Sequence, residues 1–280
     1  MTGGIINGVR RASKESWRRT RKFGAHAGWI CLCAHAQNYL IRLRNRYGNQ
    51  NRVTCPCCNW HGNSFRVLDV GHWIIPQVEC PNCGAHDRHR MFCLFLDRNA
   101  FTSMQGKNIR ILHFGPEPHI HFTTKKEKES TRVIAADIHA EGMTCADGTR
   151  VQTDVQRIAF DSESFDAIVC IHLLEHVEND ILALHELFRV LKPGGAAYIM
   201  VPFAPIPASR ELGRPDPLLF GHVREYSQQD FEQRLHEFYV NAIAPLSIMT
   251  PEEQRLFQIP DHQVIFICQK AVPDWPSSGK

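Results

Sequence analysis

Residues 165–201 constrain the fold more tightly than any other stretch. Phe165-Asp-Ala-Ile-Val-Cys-Ile171 is an almost continuous apolar run, the pattern of a strand buried on both faces. Glu178–Leu191 follows, with Ile181, Leu182, Leu184, Leu187, Phe188 and Leu191 at helical spacing. Lys192-Pro193-Gly194-Gly195 stops the helix, and Ala196–Val201 is apolar again. A strand, a helix and a second strand of this kind make one unit of a mostly parallel sheet flanked by helices. Ligands of such a sheet lie at the carboxyl ends of its strands.

The same alternation extends upstream. Ile109–Phe114 predicts a strand ending at Gly115-Pro116-Glu117, with a turn and helix over Pro118–Thr123 and a charged run over Lys125–Glu129. Arg132–Asp137 and Arg150–Asp154 are further strand-like runs, each ending in an acid. Asp137 lies 22 residues after Gly115, where a doubly wound fold places a carboxylate to accept hydrogen bonds from a ribose diol. There is no Gly-x-Gly-x-x-Gly and no Walker lysine. Glu117 stands where a pyrophosphate needs bare backbone donors. Phosphate-rich cofactors, and with them a nicotinamide-dependent dehydrogenase, are disfavoured. A cofactor with a ribose and a cationic or amine-bearing end fits the acids better, Glu117 offsetting its charge.

Downstream, Pro202–Phe220 carries five prolines and little periodicity, which predicts a loop over the carboxyl edge, a lid or specificity insert. Gly221-His-Val-Arg-Glu-Tyr226 follows, then a helix capped by Ser227 with Asp230 three residues on. Asn241–Thr250 is a strand or loop, Glu252–Phe257 a short helical segment, Gln263–Cys268 the last strand and Ala271–Lys280 a polar tail.

Cys55-Pro-Cys57-Cys58 and Cys80-Pro-Asn-Cys83-Gly84 form two Cys-x2-Cys knuckles separated by 21 residues. Four thiolates converging from such turns satisfy tetrahedral zinc and leave no position for substrate, so Cys55, Cys58, Cys80 and Cys83 predict a structural Zn2+ site, with Cys57 as a substitute ligand. Phe65–Leu68 and Trp73–Ile75 with Val78 supply short strands between the knuckles, giving a small zinc-ribbon-like module over residues 51–86. Its core is too small to fold well without the metal. Asp87 opens a helix whose apolar face is Met91, Phe92, Leu94, Phe95 and Leu96, with Arg88, His89 and Arg90 placed to line a pocket rim or face solvent.

Residues 1–54 carry eleven Lys or Arg against one acid, Glu15, although the whole chain is only +3. Residues 1–22 read as disordered and Trp29–Tyr47 as a helix. This basic arm of residues 1–50 suits a solvated linker packed on the body, nucleic-acid contact, or an anionic membrane surface. No run of 18 apolar residues predicts a transmembrane segment. Eleven cysteines without a secretory-signal pattern point to a reducing, cytoplasmic setting.

Residues 109–201 resemble a class I S-adenosylmethionine-dependent methyltransferase of the broad type-11 kind. The resemblance is carried by Ile111–Glu117, Asp137, Asp154, Phe160-Asp-Ser-Glu-Ser-Phe-Asp166, Ile171-His-Leu-Leu-Glu-His-Val177 and Leu187-Phe-Arg-Val-Leu-Lys-Pro-Gly-Gly195. With the cysteine pairs, Asp87-Arg-His-Arg90 and His113-Phe-Gly-Pro-Glu117, the likeness extends to a methyltransferase-like branch and covers roughly residues 55–270. It implies an α/β fold, a Rossmann-like seven-stranded methyltransferase sheet, mostly parallel with an antiparallel last strand, over residues 87–270 and with a lid at 202–226. It further implies S-adenosylmethionine held by His113, Gly115, Pro116, Glu117, Asp137, Asp154 and Val155. The sequence departs from the family where His113 replaces an acid and Pro116-Glu117 replace a small residue and the second glycine.

The expected activity is methyl transfer by in-line displacement to an unidentified acceptor: a small molecule, glycan, protein or RNA. Positioning supplies much of such catalysis, and a base helps with a hydroxyl or amine nucleophile. His172 and His222 are the catalytic candidates. Glu175 and His176 are more often fold-supporting in this family, and Arg224 and Tyr226 either face the cleft or brace the loop. The alternative is a catalytically silent protein of the same fold that grips RNA or a protein through the zinc module and basic arm. A monomer or weak dimer is expected.

Overall fold

The computed structural model describes residues 2–48, 52–70, 73–99, 108–117, 120, 131–139 and 149–272. The turn and helix expected over Pro118–Thr123 (Ile120 apart), the charged run Lys125–Glu129 and the end of the tail lie outside the described residues. The chain divides into two compact units. One comprises Met1–Arg90, Pro217–Phe220 and Thr250–Ile259, the other Met91–Asp216, Gly221–Met249 and Pro260–Lys280.

The first unit opens with α1 (Thr2–Phe23) and α2 (Ala25–Tyr47). The expectation of disorder over residues 1–22 is therefore corrected: α1 is a helix that packs on α2. Ser16 Oγ donates to the Gly28 carbonyl at 2.8 Å. A Cβ at Gly28 would fall 1.9 Å from Thr20 Oγ1, so only glycine admits this crossing. A composition rich in Arg and Ser conceals such a contact, because helix stability here comes from the partner helix rather than from bulk hydrophobicity. Among the described residues no helix is long and apolar enough to cross a membrane.

Two antiparallel hairpins follow, β1 (Val53–Cys55) with β2 (Trp60–Gly62) and β3 (Arg66–Asp69) with β4 (Ile74–Glu79). Asparagines on α2 complete the strand edges. Asn38 exchanges two hydrogen bonds with the Val67 backbone, and Asn45 does the same with Ser64. Val53, Cys55, Phe65, Cys80 and Ala85 make a small core, and a short helix at Pro251–Phe257 is capped by Thr250 and Glu253.

The helix α3 (Asp87–Asn99) carries Arg90 in its first turn. Its guanidinium is fully buried, lies 4.0 Å from the centre of the Phe65 ring, and donates to the carbonyls of Gln77, Val78, Ala85, Phe257 and Gln258. The reading of residues 88–90 as a pocket rim is thus corrected for Arg90. A planar five-donor group gathers carbonyls that short strands leave unpaired.

The second unit is built on β5 (Ile109–Phe114), β6 (Thr131–Asp137), β7 (Arg150–Gln152), β8 (Phe165–Ile171), α4 (Asp180–Val190), β9 (Leu191–Met200), β10 (Arg210–Asp216), β11 (His222–Glu225), α5 (Gln228–Arg234), β12 (Tyr239–Ile243) and β13 (Ile265–Gln269). Seven strands of the described residues form one sheet in the order β12-β13-β9-β8-β5-β6-β7. Strands β5 to β9 run parallel, and β13 is antiparallel to both of its neighbours. The expected mostly parallel seven-stranded α/β sheet with an antiparallel last strand is what the chain forms. From β5 the order runs outward through β6 and β7, then restarts on the other side with β8 and β9. At such a reversal an open α/β sheet holds its ligand, here between the carboxyl ends of β5 and β8.

Details differ from the sequence reading. The Lys192–Gly195 segment does not precede the strand; it lies inside β9 as an irregularity in the pairing with β8. Asp166 at the start of β8 accepts from Arg110 N and Lys192 Nζ, so the Phe-Asp pair at residues 165–166 ties three strands at their amino ends. Pro202–Phe220 is not a plain loop. Residues 210–216 form β10, an exposed strand paired antiparallel with β11 and bulged between Glu211 and Asp216. An edge strand tolerates Pro215 because one side of its backbone needs no partner.

Candidate functional site

The carboxyl end of β5 turns at Gly115, whose φ of +55° favours glycine. Gly115 N donates to the Ala136 carbonyl at 2.9 Å, fixing the turn against β6. Among the described residues a Cβ here would meet nothing within 4 Å. His113 Nε2 lies 2.9 Å from Glu117 Oε2, with the ring almost wholly buried. Glu117 was expected to offset a cofactor's charge; one of its oxygens is instead engaged by His113. Pro116 sits between them.

Asp137, the last residue of β6, is half-buried, and its Oδ1 accepts from His139 N at 2.8 Å. Asp154 follows β7 and accepts from the backbone and side chain of Gln156. Val155 is buried in the main core, so its side chain is committed to packing. The loop that carries these residues is pinned to α4. Glu186 accepts from Ile158 N, while Arg189 donates to Glu186 and to the carbonyls of Ile158 and Phe160.

Across the switch point, the residues after β8 form a tight turn. His172 has a φ of +48°, an uncommon conformation for a residue with a side chain. Its backbone N–H donates to the Met200 carbonyl at 2.8 Å. A 3-10 turn at Leu174–His176 follows. Glu175 is 1% exposed, and its Oε1 is approached by three imidazoles: His172 Nδ1 at 3.5 Å, His176 Nε2 at 3.9 Å and His222 Nε2 at 4.0 Å. His176 and His222 meet edge to face, with ring centres 4.8 Å apart. The two catalytic candidates, His172 and His222, are thus brought to one carboxylate, and Glu175 and His176, read as fold support, stand among them. Burial, with His176 adjacent, pushes the His222 imidazole down from 6.5 to about 4, which keeps it neutral near pH 7.

This arrangement is held from behind. Arg224 is 2% exposed and donates to the carbonyls of Leu174, Val177 and Glu178, and to Glu211. Tyr226 donates to Asp180 Oδ2 at 2.7 Å, and Arg234 grips the same carboxylate. Arg224 and Tyr226 therefore brace the turn. Sequence reasoning missed the grouping around Glu175 because His222 lies 46 residues downstream of His176. The only signal was the compact His-x-x-Glu-His pattern followed by His-x-Arg.

In the first unit the four expected cysteines converge. Cys55 Sγ lies 3.8 Å from Cys83 Sγ and Cys58 Sγ 3.8 Å from Cys80 Sγ, and all four sulfurs lie within 4.8 Å of one another. Thiolates about 2.3 Å from a tetrahedral zinc stand roughly 3.8 Å apart, so this donor set fits zinc. Cys57 shares the first knuckle but is not one of the four.

No curated protein matches the chain. Among solved structures it is similar to the YcgJ protein from Bacillus subtilis, at 19% identity over 62% of this chain and 93% of that one, with a TM-score of 0.40. It is similar to 1,6-didemethyltoxoflavin-N1-methyltransferase from Burkholderia thailandensis, at 16% identity over 66% and 87% of the two chains, TM-score 0.42. Phosphoethanolamine N-methyltransferase 2 of Haemonchus contortus is 13% identical over 65% and 52%, TM-score 0.42. Likenesses this distant carry nothing about activity. The sequence profile of the methyltransferase domain family matches residues 85–239, more than half of the chain, and the chain belongs to that family.

Proposed function

We propose that the protein is an S-adenosylmethionine-dependent methyltransferase that transfers a methyl group by in-line displacement. The observation that carries the reading is the set of residues that the strand order brings to the switch point of the sheet. On one side stand the Gly115 turn and the acid ending β6; on the other stand the imidazoles beside Glu175. The Gly115 turn fits a cofactor against bare backbone, and Asp137 fits a ribose diol. In this reading His113, Gly115, Pro116 and Glu117 shape the turn, Asp137 accepts from the ribose, and Asp154 and Val155 border the adenine. S-adenosylmethionine supplies the electrophilic methyl group.

His172 and His222 are the acceptor-side residues, placed to take a proton from a hydroxyl or amine nucleophile. The acceptor is a small molecule, glycan, protein or RNA. The division into a basic arm (1–50), a four-cysteine module (51–86), a methyltransferase domain (87–270) and a lid (202–226) belongs to the same proposal. So does zinc at Cys55, Cys58, Cys80 and Cys83, where the metal would supply folding energy rather than chemistry.

Calorimetry with S-adenosylmethionine tests the reading. Binding in the micromolar range is expected; no heat at millimolar ligand would sink it and leave the silent binding protein as the better description. A methyl-transfer screen across the acceptor classes with labelled donor then identifies the substrate.

A further inference from the structure

We infer that Glu175, His176 and His222 form a binding site for a divalent transition-metal ion on the acceptor side of the switch point. One carboxylate oxygen and one nitrogen from each imidazole lie within 4.8 Å of one another. Ligands about 2.1 Å from a common ion stand roughly 3.0–3.4 Å apart. The two imidazole nitrogens are 3.9 and 4.0 Å from Glu175 Oε1, so side-chain shifts of less than about 1 Å close the set around an ion.

The chemistry of the donors selects the ion. Two imidazoles and one carboxylate favour iron, cobalt, nickel or zinc over magnesium or calcium, which prefer all-oxygen sets. Three protein ligands also leave coordination positions open, as in catalytic rather than structural metal sites. A carboxylate only 1% exposed and ringed by imidazoles gains charge compensation from a dication.

The surroundings are those of a built site. The ligands come from two segments, the turn after β8 and the start of β11, and Arg224 locks the two together through the Leu174 and Val177 carbonyls. Asp216 is the register partner of His222 across the β10–β11 hairpin. His172 Nδ1 stands 3.5 Å from the same Glu175 oxygen. Residues outside the ligand set that orient its members are what metal sites need to hold their geometry. The His176 side chain is 36% exposed, which gives the ion a way in from solvent.

The link to methyl transfer rests on the function proposed above; the existence of the site does not. With the ion in place, His222 is a ligand rather than a proton acceptor. The open positions then take an oxygen of the acceptor, which makes a hydroxyl-bearing acceptor the expected class.

The test uses the full chain carrying one equivalent of zinc, so that the four thiolates are filled, titrated with Co2+ and followed by visible absorption. The expected result is one equivalent bound with d–d bands and no sulfur-to-cobalt charge-transfer band. His222→Asn and Glu175→Gln should each weaken binding at least as much as the roughly ten- to hundred-fold cost of outer-shell changes. Should Glu175→Gln fail to fold by circular dichroism, His176→Asn, at a partly exposed position, takes its place. Absence of d–d bands, or equal affinity in the histidine variants, overturns the site. Calorimetry with S-adenosylmethionine on the same samples separates the two claims. Cobalt binding without cofactor binding keeps the metal site and removes the methyltransferase reading; the reverse removes the metal site alone.

Discussion

His113 Nε2 and Glu117 Oε2 lie 2.9 Å apart, so the acid of the first turn is held by an imidazole from the end of the preceding strand, β5. The turn thus keeps a carboxylate beside a buried imidazole. Glu117→Ala takes that carboxylate from a ring only 3% exposed in its side chain. The expected loss is about 1–3 kcal/mol of stability in urea unfolding. An unchanged midpoint would show that the pair is incidental.

Asp137→Asn keeps an oxygen for His139 N while replacing the other carboxylate oxygen with a donor. If Asp137 receives the ribose diol, affinity for S-adenosylmethionine falls about ten-fold or more, since hydrogen bonds to a charged group are worth about 1.5–3 kcal/mol. Calorimetry reads this directly, and wild-type affinity in the variant would remove Asp137 from the cofactor site.

Arg224→Lys should destabilise the protein by more than about 2 kcal/mol, because one ammonium cannot reach three carbonyls and the Glu211 carboxylate in the fixed geometry of a guanidinium. Denaturant unfolding measures the loss. A neutral outcome would mean that β11 holds the turn after β8 by its strand pairing alone.

Metal analysis of protein purified without added zinc should find roughly one zinc per chain at the four-cysteine cluster. Cys58→Ser should lower that ratio and cost stability, since three thiolates hold zinc less tightly than four and metal binding supplies folding energy. A zinc ratio near zero in the wild type rejects the structural zinc site.

Glu186 provides a pH test away from both proposed metal sites. Its hydrogen bond with Arg189 holds the carboxyl below the usual value of 4.5. Above that unfolded value the group's contribution to stability is complete, and it is lost as pH falls through the lower folded value. Glu186→Gln should therefore be less stable than wild type near neutral pH, and the gap should narrow in acid. Parallel pH–stability curves for the two proteins would contradict the assignment.

Much of the fold was legible because it follows from local pattern. The Phe165–Ile171 run could only be a strand buried on both faces, and the spacing from Ile181 to Leu187 could only be a helix lying on it. The cysteine knuckles were legible for the same reason, since their spacing fixes two tight turns. Arg90 and Arg224 were not. Each looks like a surface charge in a polar stretch, and each is buried because it donates to carbonyls supplied by segments distant in sequence. The α1 helix was hidden likewise, its order depending on a partner helix and on Gly28.

The sequence by itself determined the alternation of strands and helices, the family, and the two cysteine knuckles, because these depend on neighbours along the chain. Only the tertiary structure decided that His172, His176 and His222 surround Glu175, and that Glu117 is bound to His113. Those relations depend on β11 being folded back against the turn after β8, and on how the turn after β5 bends. Each is set by long-range packing and carbonyl pairing, which residue spacing does not encode.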